Sequence, residues 1–339
     1  MDAGAPPLVS WNGLRREFLI YLPVWFIYLE AVGLMHAALA NFPEEGFTRV
    51  GIAREYFAPT ILFPLAWIIP YFVLRIRHSV RLHNRWKAYV ALFFLAVAVP
   101  LATVLLYQPH PLSYEQLTVL FEVLQFVWVG LLVVHIVGSR GWWALLMFFG
   151  VTFVYGLMLE NTGIIMRYFY EPRFHLYLGP LPAPLATMLG WCVVFYVTIA
   201  VTEHLARWLP WLGVGIWRRA FTATALALCL DAQLDPLASI SGVFWRWNEL
   251  LPPAFLGVPL TNWVAWFGAF LPYTYIVFRI LDRQDWDMRR KNWELFLRVP
   301  LTAFIAGAIW LGLMTVIELG FDGPTWQILG EFRERLVPY

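Results

Sequence analysis

The sequence predicts an all-α fold: a polytopic transmembrane helix bundle of eight or nine spans with an internal parallel repeat of helix pairs. Three observations carry this expectation. Hydrophobic residues make up 60% of the 339 positions and charged residues only 14%, against about 25% charged in soluble domains. Apolar stretches of the ~20 residues needed to cross a bilayer recur with short connections between them. The chain also matches itself at a displacement of 75 positions.

Taken in order, windows of about 19 residues place spans near 17–40, 55–74, 88–107, 115–138, 142–160, 181–206, 216–235, 260–279 and 299–320. The segment before the first span carries Arg15 and Arg16 and has no short apolar region ending in small residues. A cleaved leader is therefore not expected, and the first helix stays in the protein. With the amino terminus on the cytoplasmic side, 17 of the 24 Lys and Arg fall on cytoplasmic segments, as the positive-inside rule requires. This orientation suits a bacterial inner membrane. Three regions follow: amino-terminal helices over 1–114, a repeat-containing catalytic core over 115–280, and a loop, last span and tail over 281–339.

A net charge of +2, with no run of like charges longer than Arg289-Arg290-Lys291, sets nucleic acid aside. Cys192 and Cys229 lie in apolar runs without the paired spacing of a metal or redox motif, and read as core residues. Trp142, Trp143, Trp208, Trp211, Trp217 and Tyr273 sit near span ends, where an aromatic belt at the headgroups is the plainest reading. Trp245, Trp247 and Trp263 lie beside acidic residues and are better placed for a pocket wall.

The displacement of 75 pairs Glu160 with Asp235, Phe169 with Phe244, Tyr170 with Trp245, Pro184-Leu185 with Pro259-Leu260, Trp191 with Trp266, and Phe195 with Phe270. Each copy has one plan: an outward helix ending at an acid, an aromatic external segment, then an inward helix opening at Pro-Leu. Proline suits a helix start, where its missing N–H would have no partner. Parallel repeats place functional sites between the copies, which would bring the acids together across a shared cavity.

Ionisable groups within spans are costly and by default functional. The useful set is Glu160, Asp231 and Asp235, with Asn161, Arg167, Arg173, Arg246 and Glu249 adjoining. Asp231 and Asp235 are four apart and share a helix face. Carboxyl groups gathered in a dry pocket keep at least one proton near neutral pH, which makes a general acid. The plainer reading of Glu160 and Asp235 is an interfacial carboxylate that caps or pairs with an external Arg. Glu30, Glu122 and His135 read as interhelical hydrogen-bonding groups, and Glu203-His204 beside Arg207 as an inner helix end.

Spacing removes several chemistries. The seven histidines never form the short-spaced groups of a di-iron oxygenase, so no metal site is expected. Asp231 and Asp235 resemble half of a prenyltransferase magnesium site, but Asp282, Asp285 and Asp287 fall on the opposite face of the membrane. Phosphate-cradling loops and a nucleophile elbow are absent.

Glu160-Asn161-Thr162-Gly163, followed by Tyr168, Tyr170, Leu178-Gly179-Pro180-Leu181-Pro182 and Trp191, resembles the first half of the carotenoid biosynthesis membrane proteins. These are carotenoid 1′,2′-hydratases of the γ-carotene or bisanhydrobacterioruberin type. The second half of that family is resembled by Asp231, Asp235-Pro236, Gly242, Trp245, Trp247, Phe255, Gly257, Pro259-Leu260, Asn262 and Trp266. The likeness covers about residues 140–280, and the first copy departs in its Gly179-Pro180-Leu181-Pro182 wording. It implies hydration of a terminal double bond by protonation and water capture, with no cofactor. Glu160, Asp231 and Asp235 would be catalytic. Asn161, Tyr168, Tyr170, Trp191, Trp245, Trp247, Asn262, Trp263 and Trp266 would bind a carotenoid or other long isoprenoid drawn from membrane lipid. Alternatives are another membrane isoprenoid lyase or cyclase, a proton-coupled transporter or lipid-binding protein, and a non-catalytic subunit of a membrane complex.

Overall fold

A computed structural model describes residues 114–336, except 171–173, 242, 243 and 256, together with scattered positions between 73 and 94. The expected span at 17–40, nearly all of 55–74 and most of 88–107 lie outside the described residues, as do Glu30 and Arg173.

Seven long helices follow in chain order: α1 (Tyr114–Arg140), α2 (Trp142–Ile165), α3 (Leu185–Trp208), α4 (Ile216–Ser241), α5 (Leu260–Leu281), α6 (Met288–Ile317) and α7 (Pro324–Leu336). Among the described residues, five helices are long and apolar enough to cross a membrane: α2, α3, α5, α6 and α1 from Thr118 onward. The chain is thus a membrane protein by length and composition of its helices. The fourth helix, with Arg218, Arg219, Asp231 and Asp235 along it, is not among the five, yet it packs between α3 and α5.

Local chemistry fixes the ends. Asp287 caps α6 by accepting from the Arg290 N–H at 2.7 Å, which satisfies one of the free donors of a first turn. The helix therefore starts eleven residues before the apolar run, inside the polar stretch 288–298. Helices α3 and α5 both open behind a proline in the same conformation: Pro184 at φ −62°, ψ 146° and Pro259 at φ −63°, ψ 146°. In both places the preceding segment folds back onto that proline, through an antiparallel bridge of Tyr177 to Pro184 and a short ladder of β3 (Pro253–Phe255) with β4 (Val258–Pro259). The segments after α2 and α4 meet through β1 (Phe169–Tyr170) and β2 (Arg246–Trp247), which pair antiparallel. Inside α2, Leu146–Val151 forms a π-helical turn, a widening that shifts the faces of the helix beyond it.

The core lies between α2, α3, α4 and α5 and is filled by stacked rings. Phe195 lies on Phe270 with centroids 4.0 Å apart, Trp191 on Trp266 at 4.8 Å, and Tyr155 on Tyr273 at 4.4 Å. Helices α5 and α6 approach closely at Gly268, where an added Cβ would stand 2.8 Å from the Ala306 carbonyl oxygen; small residues permit such contacts between membrane helices.

Of the residues read as an aromatic belt, Trp142, Trp143, Trp211 and Trp217 are all exposed. Tyr273 is a correction: it is fully buried, with its hydroxyl 2.7 Å from Thr152 Oγ1. A sequence window locates a residue along a span but not around it. At the end of the bundle away from Glu160, Arg140 pairs with Glu203 at 2.5 Å and joins α1 to α3, while Arg219 and Asp282 pair and join α4 to α5. With Asp285 bound to Arg283 and Asp287 on the α6 cap, all three carboxylates of that acidic run have structural partners.

Candidate active site

Among the described residues, a cavity of about 340 Å³ lies at the Glu160 end of the bundle, lined from α1 to α7. Its roof comes from the segments after α2 and α4: Tyr168, Phe169, Trp245 and Trp247, with Leu329 of α7. Helix α3 supplies Thr187, Gly190, Trp191, Val193 and Val194, α4 supplies Leu230, Leu234 and Asp235, and α5 supplies Thr261, Asn262, Ala265, Trp266 and Ala269. The lining is mostly apolar and aromatic with a few converging polar groups, the usual character of a small-molecule site. It carries two carboxyls, Glu160 and Asp235, and no Lys, Arg or His.

One amide organises the acids. Asn262 Nδ2 donates to Asp231 Oδ2 at 3.1 Å and to Asp235 Oδ2 in a shorter contact, so oxygens of both carboxyls converge on one nitrogen. The i, i+4 spacing on α4 sets both on one face, and Pro259 at the start of α5 fixes where Asn262 stands. Asp235 lines the cavity. Asp231 does not; it sits behind, 1% exposed, with Oδ1 lacking a hydrogen-bond partner among the described residues.

Glu160 enters from α2 and accepts from the Trp191 indole N–H at 2.7 Å. That indole stacks on Trp266 at an interplanar angle of 28°, so Glu160 is held by a ring that is itself held. Gly156 makes this possible: a Cβ there would stand 2.9 Å from Trp191 Cβ.

Of the remaining sequence candidates, Tyr168, Trp191, Trp245, Trp247, Asn262 and Trp266 line the cavity, whereas Asn161, Tyr170 and Trp263 do not. Asn161 is buried and structural: it donates to the Leu157 carbonyl at 2.8 Å and accepts from the Ala183 N–H at 3.1 Å, pinning the segment before α3 to α2. Tyr170 is exposed on β1. Tyr168 turns its ring to Trp310 and donates its hydroxyl to the Thr325 carbonyl at 2.8 Å. Burial, then the nearby Glu318 carboxylate, raises its pKa above the ordinary tyrosine value, which keeps it a donor. Glu122, expected to be satisfied, accepts from the N–H groups of His175 (2.8 Å) and Leu176 (3.0 Å) and meets the His175 ring at 3.0 Å.

Sequence reasoning missed Gln125, Thr261, Ala303, Ala306, Gly307, Trp310, Leu311 and Leu329, all of which line the cavity. Trp310 donates to Thr261 Oγ1 at 2.9 Å and so ties α6 to α5 beside the acids. The five on α6 form a small-and-aromatic stripe with helical spacing, the one signal available for them.

A family model described as carotenoid biosynthesis protein matches residues 117–322. No curated protein and no solved structure matches the chain.

Proposed function

Because the chain belongs to the carotenoid biosynthesis protein family, we propose that it hydrates a terminal C=C bond of an acyclic or monocyclic carotenoid, without a cofactor, by proton-initiated carbocation chemistry. The observation that carries the proposal is the convergence of Asp231 and Asp235 on Asn262 at the wall of a ring-lined chamber that also presents Glu160.

The reaction is an addition of water. A terminal (CH₃)₂C=CH– group receives a proton from Asp235 on its CH carbon. The π electrons form the new C–H bond and leave a tertiary cation. A water oxygen donates a lone pair to that cation, and the resulting oxonium ion gives its surplus proton to a carboxylate, so the proton account closes. Asp231 behind Asp235 shares one proton with it across the Asn262 bridge, because two adjacent carboxylates in a dry site do not both stay ionised. Glu160, across the chamber on its indole N–H, orients the water and relays the released proton back to the ionised Asp231–Asp235 pair, which restores the acid. The faces of Trp191, Trp266, Trp245 and Trp247 stabilise the cation, and general acid catalysis of this kind contributes about 10²–10⁴-fold.

The duplication is part of the same reading. Trp191 and Trp266, and likewise Phe195 and Phe270, are partners at the displacement of 75, and each stacks on its own counterpart. The matched prolines and fold-backs support it as well. Copy one keeps Glu160 but has Gly156 where copy two has Asp231, which leaves the acid pair on one side only. We place the amino terminus in the cytoplasm of a bacterial inner membrane, with eight or nine spans and the chamber near the outer interface.

Purified protein in lipid nanodiscs should convert lycopene or γ-carotene, in water labelled with oxygen-18, to a product carrying one labelled oxygen. No hydrated product from several acyclic carotenoids, with the protein folded, defeats the proposal.

A further inference from the structure

The chamber and the substrate class do not match in size. A cavity of about 340 Å³ is at the small end of the range that encloses drug-sized ligands, roughly 300–1,000 Å³. It takes the end group of a forty-carbon polyene and leaves the long chain outside. That chain is insoluble in water, so its way out must lead into the hydrocarbon of the bilayer.

The lining indicates where. Walls from α3, α4 and α5 contain fully buried residues such as Val193, Leu230 and Ala269. Among the described residues one lining residue is exposed, Thr162 on α2. With Met158 and Met166 one turn to either side, it forms the edge of α2 that reaches the cavity. On α6, Ala306 and Trp310 are committed to α5, by the close approach of Gly268 and the bond to Thr261. One step around that helix, Ala303, Gly307 and Leu311 line the cavity at successive turns and are half-buried. Among the described residues, a Cβ built at Gly307 meets nothing within 4 Å. Helices α2 and α6 touch one another, and these two edges line the same cavity.

We propose that the seam between α2 and α6 is a lateral mouth through which the polyene tail of the substrate lies while its end group occupies the chamber, with Gly307 and Thr162 setting its width. Small residues and pliable methionine side chains suit a slot that must admit a rigid conjugated chain edge-on. The inference rests on the carotenoid reading of the site for its ligand, but not on hydration.

The test measures binding rather than turnover. Variants Gly307→Ala, Gly307→Leu, Gly307→Phe and Thr162→Trp are reconstituted in nanodiscs, and quenching of tryptophan fluorescence by lycopene is titrated. Gly312→Phe is the control: it lies on the same helix, does not line the cavity, and has open space at its Cβ. Affinity should fall progressively along the Gly307 series, by tenfold or more at Phe, and similarly in Thr162→Trp, while Gly312→Phe binds as wild type. If Gly307→Phe does not fold, the Ala and Leu members and the exposed Thr162→Trp decide. Unchanged affinity in folded seam variants overturns the mouth, and so does a wild-type protein that does not bind lycopene. Binding with this pattern but without hydrated product leaves the mouth standing and refutes the hydratase reading alone.

Discussion

Replacing Asn262 by Leu keeps the volume of the side chain and removes the nitrogen on which two buried carboxyls converge. Asp231 then loses its hydrogen bond from Asn262 at Oδ2, in addition to the Oδ1 that has no partner among the described residues, and Asp235 loses the donor that orients it. A hydrogen bond to a charged group contributes about 1.5–3 kcal/mol. The two bonds share one donor and do not add fully, so the expected cost to folding is about 2–4 kcal/mol. For a chain of this size that is roughly a 3–6 °C fall in the unfolding midpoint, read by intrinsic fluorescence in nanodiscs. Hydration should fall by about 100-fold or more as the acid loses its orientation. In the double variant Asp231→Asn, Asn262→Leu, the second buried carboxyl is gone, and part of the lost stability should return as a coupling of about 0.5–3 kcal/mol. Stability within about 0.5 kcal/mol of wild type in Asn262→Leu, or strict additivity in the double variant, would refute the idea that this amide holds the acid pair.

Three further outcomes follow from the same geometry. Trp191→Phe keeps a ring against Trp266 but removes the indole N–H from Glu160; turnover should drop about 10–100-fold, with lycopene retention measured alongside as the check that the chamber is intact. Gly156→Ala drives a methyl into Trp191 Cβ and should cost about 1–3 kcal/mol in thermal unfolding through overpacking. Glu122→Ala frees the segment before α3 at His175 and Leu176; faster amide exchange over residues 174–178, measured by mass spectrometry, is expected, and unchanged exchange would count against the tether.

Hydropathy located the helices because burying unpaired backbone in lipid is so costly that spans must be long apolar helices. The expected windows 115–138, 142–160, 181–206, 216–235, 260–279 and 299–320 each fall on an observed helix. Ends were less legible. The last of these begins at Met288 because a capped polar turn carries no hydropathy signal, and α3 begins at Leu185 because Leu181–Pro184 fold back on Tyr177. Among the site residues, Glu160, Asp235 and the paired tryptophans were visible through their cost in a membrane or their match at a displacement of 75, and Asn262 through the family resemblance. The contribution of α6 and α7 was not, because Ala303, Gly307 and Leu329 are ordinary membrane residues whose function is shape. Asn161 misled for the opposite reason: its polarity is spent on backbone partners.

The most direct measurement of the central claim is turnover by Asp235→Asn in labelled water, with lycopene binding followed in the same nanodiscs. An amide at this position still accepts from Asn262 but has no acidic proton to give. Product formation should fall by about 10²–10⁴-fold while the polyene stays bound. Product at the wild-type rate would mean that the proton comes from elsewhere, and the acid pair would lose its role.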